Sequence, residues 1–105
     1  PVMVVRQEEI GKYHVLVELD GSAAPFRREN FQTLLEAHAR LTEYYGPNVF
    51  LFTEDKRAVK PDEILGDLAV EEDILIYADV EDPGCEYCQD GITPVIGRVR
   101  VVEKR

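Results

Sequence analysis

Tryptophan is absent, methionine occurs once, and only two cysteines are found among 105 residues. Two cysteines are too few to staple a small secreted scaffold, so the expectation is a reduced, cytoplasmic setting. Basic residues are in deficit: 12 Lys and Arg stand against 21 Asp and Glu, a formal charge of −9. That deficit removes the phosphate-neutralising surface on which nucleic-acid affinity rests and sets the chain against anionic lipid. Neither nucleic acid nor a membrane is therefore expected as a partner. Long apolar runs are missing too, since none approaches the roughly 18 to 20 residues that cross a bilayer. There is no internal repeat and no low-complexity tract. What the chain does have is 45% hydrophobic residues arranged in periodic runs. That is enough to bury the core of one domain, which an acidic disordered tail would not do.

The periodicity separates strands from a helix. Val2-Met3-Val4-Val5 is a β-branched run, and Tyr13-His14-Val15-Leu16-Val17-Glu18-Leu19 alternates cleanly. Tyr13, Val15, Val17 and Leu19 are predicted on one sheet face, with His14, Leu16 and Glu18 on the other. The two runs read as a hairpin turning near Gly11, and Asp20 to Pro25 is turn chemistry. From Phe31 the period becomes helical: Phe31, Leu34, Leu35, His38, Leu41, Thr42 and Tyr45 fall on one face. Asn30 is the predicted N-cap, and Gly46-Pro47 the stop.

Val49 to Thr53 reads as a short strand, Ala58-Val59-Lys60 as a brief return, and Pro61 to Leu68 as a helical turn. Asp73 to Ala78 is almost wholly apolar and is expected to be buried on both sides at the sheet's centre. Between Asp79 and Asp90 there are five acids, no base and a Pro83-Gly84 break, the composition of an exposed loop. Val95 to Val102 alternates again and reads as a further strand appended to the core.

Taken together, the hairpin with Gly11-Lys12, the helix from Phe31 to Tyr45, the Phe50-Leu51-Phe52 strand, the stretch from Ile64 to Val70 and the strand Ile74-Leu75-Ile76 resemble the ubiquitin-like β-grasp superfamily. The likeness is one of order and spacing and covers about residues 2 to 80. Phe26-Arg27-Arg28, ahead of Phe31 and Leu34-Leu35, is similar to doublecortin domains, and Glu54-Asp55 to the acidic cluster of PB1 domains. The resemblance implies an α+β fold, β-β-α-β-β with a short helical turn, in residues 1–80. Residues 81–105 are then a C-terminal extension, loop plus strand, packed on the same domain. The function it implies is a non-catalytic protein–protein interaction module, the N-terminal domain of a larger scaffold or adaptor. A doublecortin-like cytoskeletal binder is the alternative that the second likeness leaves open.

Residue chemistry adds candidate sites. Cys85 and Cys88 in Cys85-Glu86-Tyr87-Cys88 are spaced for adjacent corners of a zinc tetrahedron or for a redox disulfide. Zinc needs four ligands, however, and His14 and His38 are the only other soft donors. Asp82, Glu86 and Asp90 would raise the thiol pKa values. No cofactor is expected, with a small zinc protein using Cys85 and Cys88 as the alternative. No nucleophile–base constellation or bracketed carboxylate pair stands out, so an enzyme is not expected. His38, on the apolar stripe, reads as a packed, hydrogen-bonded histidine.

Two surfaces are candidate sites for a protein partner. One is the outer sheet face with His14 and Leu16, joined by Met3 and Val5, unless the C-terminal segment with Ile92, Val95 and Val99 covers it. The other is Phe52 with Lys56, Arg57 and Lys60, a cation-and-aromatic surface suited to an acidic or aromatic segment. The plainer reading of the latter is a solvated turn.

Overall fold

Alternation in Tyr13–Leu19 (β1) puts Val15, Val17 and Leu19 in the core and leaves His14, Leu16 and Glu18 half-exposed. A computed structural model describes residues 11–22, 24–68, 73–78 and 95–104. The other strands are Arg28–Phe31 (β2), Val49–Thr53 (β3), Ala58–Val59 (β4), Ile74–Ala78 (β5) and Val95–Glu103 (β6); the helices are Leu34–Tyr45 (α1) and Leu65–Leu68 (α2). The fold is α+β. The strands form one six-stranded sheet in the order β2-β1-β6-β5-β3-β4. Every neighbouring pair is antiparallel.

The core lies on one face of this sheet. Val15, Val17, Val99, Val101, Ile74, Ile76, Val49, Leu51 and Val59 project from the strands, and Leu34, Ala37 and Leu41 of α1 with Leu65 and Leu68 of α2 close over them. At roughly 1.5 to 3 kcal/mol for each fully buried aliphatic side chain, this single layer supplies the main driving force for folding.

Helix α1 starts later than its apolar pattern predicts. Thr33, not Asn30, is the N-cap: its backbone is extended (φ −138°, ψ 156°) and its Oγ1 accepts from the Glu36 amide at 3.1 Å. Glu36 Oε2 in turn accepts from the Gln32 amide at 3.4 Å. A Thr-x-x-Glu box therefore sets the start, and the pattern Thr33-Leu34-Leu35-Glu36 is visible in the sequence. Asn30 and Phe31 belong instead to β2, paired with Leu16 and Val15. At the other end Gly46 takes φ 87°, open to glycine at little cost, and its N–H donates to Thr42 O at 3.0 Å.

Two further expectations are corrected, and the first run of a third, the hairpin between Val2–Val5 and β1, lies outside the described residues. β2 pairs with Val15–Glu18 on one side and β6 with Tyr13–Leu19 on the other. Strand β5 is buried on one face only: Ile74, Ile76 and Ala78 are inside while Leu75 and Tyr77 are half-exposed. Both described helices pack on the same face, so among the described residues the other face has no helical cover. Finally, Val95–Glu103 is not an appendage but an interior strand, bonded to β1 along seven residues and to β5 on its other side. Its Val99 and Val101 are core residues.

Candidate functional site

The outer sheet face, opposite the helices, divides into an ionic half and an apolar half. Strands β2, β1 and β6 build the first. Leu16 stands opposite Arg100 and Glu18 opposite Arg98, while Arg28 pairs with Glu18 from the other side. Arg100 donates from Nε and Nη2 to Asp73 Oδ1 at 3.0 and 2.8 Å. Arg98 Nη2 lies 3.3 Å from Asp20 Oδ1, and Arg28 Nη2 lies 3.7 Å from Glu18 Oε2. Leu16 sits at the floor of a half-open hollow of about 230 Å³ framed by these arginines and carboxylates. Three arginines and two carboxylates, Glu18 and Asp73, line the hollow, and Asp20 outside its lining pairs with Arg98. Exposed pairs of this kind contribute about 0 to 1 kcal/mol each.

His14 stands at the end of this half. Its Nδ1 lies 2.9 Å from Asn30 Nδ2, a contact in which the amide donates and the ring nitrogen accepts. The imidazole thus tethers β1 to β2.

Strands β5 and β3 build the apolar half. Phe50 stands opposite Tyr77 and Phe52 opposite Leu75. The Phe52 and Tyr77 rings meet edge to face, centroids 5.4 Å apart and planes at 90°. Val95 flanks Tyr77 from β6. Phe50 keeps 47% of its surface exposed and Val95 42%, values far above those of the core neighbours Val49 and Leu51. Among the described residues nothing covers this group, so the apolar faces of two adjacent strands meet solvent together.

The expected cation-and-aromatic surface is partly dismantled. Phe52 does face outward, half-buried, but Arg57 is engaged: its Nη1 donates to both Glu63 carboxylate oxygens at 3.2 Å. Lys56 lies in the Thr53–Arg57 turn with φ 69°, a left-handed position at the loop tip. Lys60 is exposed, its amide held by Glu63 Oε1 at 3.2 Å. Only Lys56 and Lys60 among the three cations present charge without a described acidic partner.

The two candidate surfaces prove to be ends of one face. Leu16 and His14 lie on β1 and Phe52 on β3, with β6 and β5 between, a separation of about 14 Å at ordinary strand spacing. Phe50, Leu75 and Tyr77 join them; Leu75 and Tyr77 lie in the Asp73–Ala78 run expected to be buried on both sides, an expectation that hides the continuity of the face. Their alternation with Ile74, Ile76 and Leu51 carries the signal, since every second residue of such a run faces the opposite side.

Cys85 and Cys88 lie outside the described residues, as do Met3, Val5 and Ile92. Among the described residues no group of three His, Cys, Asp or Glu side chains is placed to hold a metal ion. Nor is any helix among the described residues long and apolar enough to cross a membrane. No known protein family, curated protein or solved structure matches the chain.

Proposed function

We propose that this chain is a non-catalytic protein–protein interaction module, cytoplasmic and part of a larger scaffold or adaptor, that captures its partner on the apolar half of the outer sheet face. The observation that carries the reading is the exposure of Phe50 and Val95 beside Phe52, Leu75 and Tyr77. Aromatic and aliphatic groups so exposed raise the cost of leaving the face wet, and aromatics of this kind are the usual anchors of an interface. The flanking Arg–carboxylate pairs and Lys60 would form the polar rim, which sets specificity and encounter rate more than affinity.

The order β1, β2, α1, β3, β4, α2, β5 and the packing of α1 on one sheet face support assignment to a ubiquitin-like β-grasp architecture elaborated by β6. The departure is that β6 stands between β1 and β5.

The test is affinity capture from cell extract with the full chain and with Phe50→Asp and Phe52→Ala, the captured proteins compared by mass spectrometry. A protein held by the parent chain and lost with both variants, at unchanged melting temperature, supports the reading. Capture that survives Phe50→Asp removes it.

A further inference from the structure

The two edges of the sheet are built differently. At the β4 edge the strand is only two residues long and runs into Pro61, and the neighbouring Val49 carbonyl is occupied by His38 Nε2 at 2.9 Å. Short strands, proline and a side chain over the free carbonyl are devices that keep a sheet from adding further strands. At the β2 edge none of these is found among the described residues.

The register shows what β2 offers. Leu19 N donates to Arg27 O at 3.0 Å, so residues 27, 29 and 31 turn their main-chain groups toward β1. Arg28 and Asn30 must then turn theirs away from the sheet, because alternate residues of a strand bond in opposite directions. Two N–H and two C=O groups line this rim, and both residues are exposed.

The side chains flanking that rim are unlike on its two sides. On the helix side stand Phe31, Phe26 and Tyr44, with Phe26 6.4 Å from each of the other two rings and Tyr44 49% exposed. Arg40 lies over Phe26 and Tyr44 at 6.0 and 5.3 Å and is shared between Glu29 at 3.6 Å and Glu43 at 3.8 Å. On the outer side stands Arg28, its side chain 70% exposed and paired with Glu18 at a long 3.7 Å.

We infer that the β2 edge takes up an extended segment of a partner protein in which acidic and apolar residues alternate. An added strand bonds to Arg28 and Asn30 through its main chain, sends its apolar residues to Phe26, Phe31 and Tyr44, and places an acid against Arg28. A second copy of this chain is a poor occupant. Antiparallel pairing of β2 with itself that satisfies Arg28 and Asn30 sets Arg28 opposite Asn30 of the other copy, so Arg28 meets no carboxylate on the added strand. The inference uses a different surface from the apolar half of the outer face and stands or falls apart from it.

The test uses the full chain, isotopically labelled, titrated with acetyl-(Glu-Val)3-amide and, as control, acetyl-(Lys-Val)3-amide, and followed by amide resonances. The acidic peptide is expected to shift the amides of Arg28 to Phe31 and slow hydrogen exchange at Arg28 and Asn30; the basic peptide is expected to leave them unchanged. Asn30→Pro removes an outward N–H without touching the β1 ladder and should weaken binding about tenfold. Arg28→Glu should weaken it about fivefold or more, with less loss on adding salt than the parent shows. Shifts located elsewhere, no binding at millimolar peptide, or parent-like binding by both folded variants would overturn the inference.

Discussion

His38 on α1 and Val49 on β3 are joined by a 2.9 Å hydrogen bond from the imidazole Nε2 to the main-chain carbonyl. A carbonyl only accepts, so Nε2 carries the proton, and the ring ties the helix to the sheet where β4 has already ended. His38→Ala leaves that part-buried carbonyl without its partner and should cost about 1 to 2 kcal/mol, read as a lower urea midpoint with an unchanged slope. His38→Gln, whose amide can reach the same oxygen, should recover part of the loss.

Gly97 on β6 packs against the β1 backbone: a Cβ there would overlap the Glu18 carbonyl oxygen and come within 2.9 Å of Leu19 Cα. Gly97→Ala has backbone, not a flexible side-chain end, to displace, and is expected to destabilise by about 2 to 3 kcal/mol. The same reasoning bears on the strand as a whole. Cutting the chain after residue 94 removes Val99 and Val101 from the core and the shared partner of β1 and β5. The shortened chain should show a disordered circular dichroism spectrum. A cooperative thermal transition in it would mean that residues 1–94 fold alone.

The turn after β3 gives a pH-dependent signature. Thr53 Oγ1 donates to the Asp55 carboxylate and accepts from the Arg57 amide at 3.0 Å. The Thr53 hydrogen bond, helped by the Arg57 charge, holds the Asp55 carboxyl below its ordinary 3.8. The folded chain thus prefers the charged form, so this contribution is complete above 3.8 and is lost as pH falls through that value and beyond. Asp55→Asn should flatten the fall in urea midpoint on acidification relative to the parent, with the difference confined to the acid limb. In the same turn Lys56→Gly relieves the left-handed backbone at φ 69° and is expected to stabilise by about 0.5 to 1 kcal/mol.

Neighbouring residues of β3 should answer oppositely to truncation. Leu51 is 3% exposed and faces the helices, whereas Phe50 is 47% exposed and faces away. Leu51→Ala is expected to cost about 2 to 5 kcal/mol and Phe50→Ser less than about 1, measured by chemical denaturation. Equal losses would show that Phe50 is covered, and with it the apolar half of the outer face.

Local chemistry was legible in the residues alone. The alternation of β1, the 3-and-4 spacing of Leu34, His38 and Leu41, the Gly46-Pro47 stop and the short α2 follow from side-chain periodicity and turn preference, which act within a few residues. The start of α1 was legible too, in Thr33 and Glu36, but the apolar Phe31 extends the same stripe and disguises a strand end as a helix start. Neighbour choice between strands was not legible. The ladder that sets Val17 against Val99 is made of main-chain groups common to all residues, so only the closing of the whole core decides that β6 enters between β1 and β5. For the same reason composition named the apolar residues, while the packing of both described helices on one side decided that Phe50, Phe52 and Tyr77 would face away from the core.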